Sequence, residues 1–71
     1  MSKENQLLEI VAEILELEID EVTLDTELDE ANWDSLAVVS FIAEADSEFG
    51  KILSPKDVSS VESVKGLLEL I

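Results

Sequence analysis

Val38, Ile42, Ala45 and Phe49 follow one another at intervals of four, three and four residues, and the series stops at Gly50. That interval matches the turn of an α-helix, so the four side chains share one face and the glycine marks the end. Asn32, Asp34 and Ser35 can each cap the start of this helix. In a chain of 71 residues there is room for one modest core, so a single domain over 1–71 is expected, with the helices gathered around that core.

From Gln6 to Leu17, the residues Leu7, Ile10, Val11, Ile14 and Leu15 recur at helical spacing, while Glu9, Glu13 and Glu16 share the opposite face. The period fails between Ile19 and Asn32, where Val22, Leu24 and Leu28 stand among Asp, Glu and Thr. This reads as a long ordered loop pinned by a few aliphatics, and a loop of that length in a small domain usually serves a function. Ser54-Pro55-Lys56-Asp57 supplies a cap, a proline at the first helical position and an acid at the third, the start of a short helix. Ser60 is then expected to cap a last helix with Val61, Val64, Leu68 and Ile71 inward and Glu62, Gly66 and Glu69 outward. The glycine costs that helix about 1 kcal/mol relative to alanine, and the sequence gives no reason for it. With no strand alternation or repeat, the expected class is all-α: three longer helices and a short third one, with a long loop between the first and second.

Composition narrows what such a bundle can do. Hydrophobic residues make up 46% of the chain and aromatics only 4%, so the core is aliphatic and an aromatic-lined catalytic pocket is not expected. A net charge of -14, from 18 acids and four lysines without arginine, repels phosphate backbones and anionic lipid, so no nucleic-acid or membrane partner is expected. Twelve of the acids precede Ser35. Without cysteine, any thiol the chain uses must be borrowed. The N-terminus has no secretion-signal pattern and no stretch is long enough to span a bilayer, so a cytoplasmic location is expected, and the chain is expected to be a monomer.

Lacking His, Cys, Tyr and Arg, the chain has neither the usual base for a serine nucleophile nor the usual clamp for phosphoryl transfer, and it is not expected to be an enzyme. The acids of the loop fail as a calcium-binding loop: Glu30 stands where the turn needs glycine and Leu36 where a bidentate glutamate belongs, so no metal site is expected.

What remains is Asp34-Ser35-Leu36, at the junction of the acidic loop and the second helix. Alone, it reads as a helix start. In its setting, the whole chain resembles the acyl carrier protein family: an amphipathic helix, a long loop, Asp-Ser-Leu opening the second helix, "EFG" closing it, a proline-started short helix and "VSSVESVKGLLELI" at the end. The resemblance implies an acyl-carrier-like four-helix bundle. It further implies a 4'-phosphopantetheine arm, moved from coenzyme A to Ser35 by a phosphopantetheinyl transferase with Mg²⁺, and a cargo held on the arm's thiol. Asp34 and Leu36 would be read by the transferase. A phosphodiester at a helix start is also favoured by unpaired backbone N–H groups and the helix dipole.

Members of the family commonly present acids on the second helix to basic enzymes. Here Ala37 and Ser40 occupy positions where acids are common, although Glu44, Asp46 and Glu48 follow, and Trp33 stands before the motif in place of a small residue. Trp33 reads first as a lid on the core and second as a partner contact. The partners expected are the transferase and acyl-loading and acyl-using enzymes with basic or apolar docking surfaces, which would meet Trp33, Ala37, Glu44, Asp46 and Glu48. The departures point to a specialised fatty-acid, polyketide or related pathway. Two other readings stay open: an aminoacyl or peptidyl carrier on the same arm, and an unmodified acidic interaction module in which Ser35 is only a cap.

Overall fold

Helix α1 (Lys3–Leu15) opens on Ser2, whose hydroxyl accepts the Asn5 N–H at 3.1 Å, in a computed structural model that describes residues 2–71. The expected span of Gln6 to Leu17 is therefore displaced toward the N-terminus. The helix stops two residues early because Glu16 turns left-handed (φ 60°) and its N–H returns to the Ala12 and Glu13 carbonyls, while the Leu17 N–H reaches Ala12 at 2.8 Å. Glycine usually fills such a position; a glutamate there carries backbone strain.

Between α1 and the second helix the chain makes a 3-10 turn over Ile19–Glu21 and then an ordered loop. Val22 and Leu28 are buried and Leu24 is partly so, as the three aliphatic pins require. Local side-chain bonds give the loop its shape: the Thr23 N–H donates to Thr26 Oγ1, the Asp29 N–H to Asn32 Oδ1, and the Ala31 and Asn32 N–H groups to Asp29 Oδ1. Asn32 is thus spent inside the loop, its Nδ2 donating to the Glu27 carbonyl, and does not cap the next helix.

Helix α2 (Ser35–Phe49) is capped by Asp34, whose Oδ1 accepts the Ala37 N–H at 2.9 Å, and ends at Gly50 in the left-handed region (φ 65°). Its inward seam is Ala37, Val38, Phe41 and Ala45, with Ile42 and Phe49 at the edge. Phe41, absent from the expected stripe, is fully buried at the centre, and a side chain of that size contributes roughly 1.5–3 kcal/mol on burial. Helix α3 (Pro55–Ser59) packs on α2 through Val58.

Helix α4 spans Val64–Leu70, shorter than a start at Ser60 would make it. Ser60 instead closes α3, its Oγ donating to the Lys56 carbonyl at 2.6 Å. The α4 start is capped by the long loop: the Val64 N–H donates to the Thr26 carbonyl at 3.1 Å and the Lys65 N–H to Leu24 at 3.0 Å. Across the same seam, the Leu28 N–H donates to the Glu62 carbonyl at 2.9 Å and Glu27 pairs with Ser63 in one antiparallel bridge. The last helix therefore faces the core with Val64 and Leu67, and Leu68 and Ile71 lie at its margin. Gly66 also finds its reason, because a Cβ at this position would stand 3.0 Å from the Val61 Cβ.

Helix α1 packs on α2 and α4, and α3 packs on the same two. Leu7, Val11, Phe41, Ala45, Val58, Val64 and Leu67 are fully buried where these contacts meet. The result is the expected all-α four-helix bundle.

Candidate functional site

Asp34 sits in extended backbone (φ -83°, ψ -176°), and its carboxylate, rather than the Ser35 hydroxyl, accepts the first-turn N–H. Ser35 is thereby left as the first residue of α2 with an exposed side chain. Leu36 follows at 72% exposure. One turn on, Val39 is 59% exposed, Ala43 extends the same outer face, and the half-buried Ser40 lies at its edge toward α1. The first two turns of α2 thus present Ser35 at the end of an uncharged, largely aliphatic strip.

Grooves flank the strip on either side. Toward α3, Trp33, Asp34, Ser35, Val38, Val39, Pro55, Lys56 and Ser59 line a cleft of about 350 Å³. Toward α1, a wider groove of about 580 Å³ has an aliphatic floor that includes Ile10, Ile14, Leu36 and Ala37, bordered by Glu13, Glu16, Asp34 and Glu44.

The residues expected to meet partners are spread unevenly over this surface. Trp33 is buried to 6% exposure against Phe41, ring centroids 5.8 Å apart, and its Nε1 donates to the Val58 carbonyl, so the lid reading describes it and the partner-contact reading does not. Ala37 is likewise buried, because it falls on the inner side of the first turn of α2, and it offers no docking surface. Glu44 is half-buried in the α1-side groove. Asp46 and Glu48 are exposed but lie about 16 and 20 Å along the helix from Ser35 at 1.5 Å per residue, too far to border it. Val39 and Ala43 share this face without having been singled out in the sequence; their signal was the four-residue spacing Ser35, Val39, Ala43, hidden in a nearly continuous apolar run.

The family model described as "Phosphopantetheine attachment site" matches residues 5–71. The chain belongs to the acyl carrier protein family. The carrier is 33% identical over 67 residues to the polyketide-8 synthase acyl carrier protein 2 of Streptomyces avermitilis, an alignment covering 93% of this chain and 77% of that one. No solved structure matches it significantly. The prosthetic group of the family is 4'-phosphopantetheine, and the carrier fits it: an exposed hydroxyl stands at a helix start, beside clefts that leave room for an arm. When bound, that group supplies the thiol this cysteine-free chain lacks. Proteins of this family carry cargo and are not themselves catalysts, and among the described residues no helix is long and apolar enough to cross a membrane.

Proposed function

We propose that Ser35 is the residue that bears the arm, and that the carrier presents a polyketide or related acyl group to the enzymes of a specialised pathway. The observation that carries this reading is the exposed Ser35 hydroxyl at the start of α2, freed from capping by Asp34 and followed by the solvent-facing Leu36. In the attachment step the Ser35 Oγ–P bond forms as a P–O bond of the coenzyme A pyrophosphate breaks, releasing adenosine 3',5'-bisphosphate. The Asp34 carboxylate is engaged in the helix cap, and the hydroxyl proton passes to a base of the transferase.

The remaining residues position and present. Asp34 fixes the first turn by its cap, and Leu36 offers an apolar contact to the transferase. Partner enzymes dock on the strip of Leu36, Val39, Ser40 and Ala43, where the contact is apolar rather than ionic. Polyketide cargo is supported by the likeness to the Streptomyces carrier. The test is incubation with coenzyme A and a promiscuous phosphopantetheinyl transferase, read by intact mass. One added phosphopantetheine, absent in Ser35→Ala, is expected; a modified Ser35→Ala protein overturns the assignment. The mass of the species purified from its host then reports the cargo class, and an aminoacyl adduct there would replace the acyl reading.

A further inference from the structure

Of the four lysines, Lys56 is the one that lines the cleft shared with Ser35. Its place relative to Ser35 is fixed by packing. The Trp33 indole, two residues before Ser35, is hydrogen-bonded at 3.1 Å to the carbonyl of Val58, two residues after Lys56, and Val58 is fully buried. The Lys56 backbone is held as well, since its carbonyl accepts both the Ser59 and the Ser60 hydroxyls, while its side chain remains exposed and free to extend.

A phosphodiester on Ser35 adds an anion to a cleft that already contains the Asp34 carboxylate, in a chain of net charge -14. On the opposite side of α2, the groove is bordered by Glu13, Glu16, Asp34 and Glu44, and no lysine lines it. An anionic group at Ser35 therefore meets repulsion on the α1 side and one compensating cation on the α3 side. An ammonium is a compact charge with three donors, suited to the oxygens of a diester.

We propose that Lys56 is a positioning residue for the phosphodiester, pairing with it and directing the arm along the α2–α3 cleft and away from the acidic groove. The inference rests on Ser35 as the attachment residue. Because Lys56 is exposed, the pair is screened by salt and acts on direction more than on stability.

The experiment uses the full chain labelled with 13C-lysine, before and after complete modification verified by intact mass. The Lys56 Cε resonance is expected to move on modification and to return toward its original position in about 0.5 M NaCl, where screening is strong, while Lys3, Lys51 and Lys65 stay in place. In Lys56→Gln, driven to full modification, the 31P resonance of the diester is expected to shift, and Lys56→Arg to restore it. An unmoved Lys56 resonance together with an unchanged 31P line in Lys56→Gln overturns the pairing. Failure of the unaltered chain to gain mass is a different result and overturns the Ser35 assignment itself.

Discussion

Trp33 Nε1 donates to the Val58 carbonyl at 3.1 Å, so a single indole joins the end of the long loop to the last turn of α3. Trp33→Phe removes the donor and trims the ring, leaving a buried carbonyl without this partner, and is expected to cost at least about 1–3 kcal/mol. Removing the ring in Trp33→Ala also loses its packing on Phe41 and is expected to cost about 3–5 kcal/mol, much of the stability of a domain this size. Urea unfolding followed by far-ultraviolet circular dichroism checks both, and equal midpoints for the two variants would show that the ring carries nothing beyond its hydrogen bond.

Ser35 and Asp34 are neighbours with separable tasks. Because the cap bond belongs to Asp34, Ser35→Ala is expected to leave the melting temperature nearly unchanged while abolishing arm attachment. Asp34→Ala is expected to destabilise the fold by about 0.5–2 kcal/mol. Thermal melts and intact mass on the two variants give the comparison; a large melting shift in Ser35→Ala would mean that its hydroxyl shares the cap.

Glu16 holds a left-handed backbone and places an acid at the negative end of the α1 dipole. Glu16→Gly removes both penalties and keeps the turn, so it is expected to stabilise the protein by about 0.5–1 kcal/mol despite glycine's larger unfolded-state entropy. A rise in the urea midpoint at unchanged slope is the sign to look for.

Gly66→Ala would ordinarily favour an exposed helix by about 1 kcal/mol. Here the new Cβ meets the Val61 Cβ at 3.0 Å and its Cγ1 at 3.1 Å, atoms close to the backbone with little freedom to yield. Overpacking of this kind costs about 1–3 kcal/mol, so the net effect is expected to be destabilising. Val61→Ala does not remove the Cβ contact but frees the γ-methyl, and in its background the penalty of Gly66→Ala should shrink. A double-mutant cycle that comes out additive would contradict the contact.

Charge placed on the outer strip of α2 should change partner traffic without disturbing the core. Ala37 is unsuitable for this test because it is buried, whereas Ala43 is exposed and Ser40 is half-buried at the edge of the strip facing α1. Loading by a housekeeping malonyl transferase is expected to accelerate severalfold in Ser40→Glu with Ala43→Glu and to become more salt-sensitive, since rim charges act chiefly on association rate. Val39→Glu is expected to slow a dedicated apolar-docking partner. If the unaltered carrier is already loaded as fast as the host's main carrier and the double variant behaves identically, docking through the uncharged strip is wrong.

Helical periods and turn chemistry are local, and they were legible in the chain: Val38 and Ala45 of the α2 seam with its stop at Gly50, the aliphatic pins Val22, Leu24 and Leu28, and the Pro55 start of α3 stand where spacing puts them, while Ile42 and Phe49 fall at the edge of that seam. Asp34-Ser35-Leu36 could likewise be placed at the α2 start from sequence, because capping depends on residues within one turn. Competition between several capable residues could not be resolved that way. Asn32 went to the loop, Ser60 to the end of α3, and the start of α4 was taken by the Thr26 and Leu24 carbonyls, partners some forty residues distant in the chain. The burial of Phe41, Trp33 and Ala37 and the exposure of Leu36 and Val39 were also decided only when α1 and α3 closed on α2. An apolar run of eight residues can present any of its sides to the core, and the choice depends on the neighbours that fill the remaining space. Sequence determined which residues can make a helix, a cap or a turn; tertiary packing determined which were used, because burial and long-range hydrogen bonds exist only once distant segments share one core.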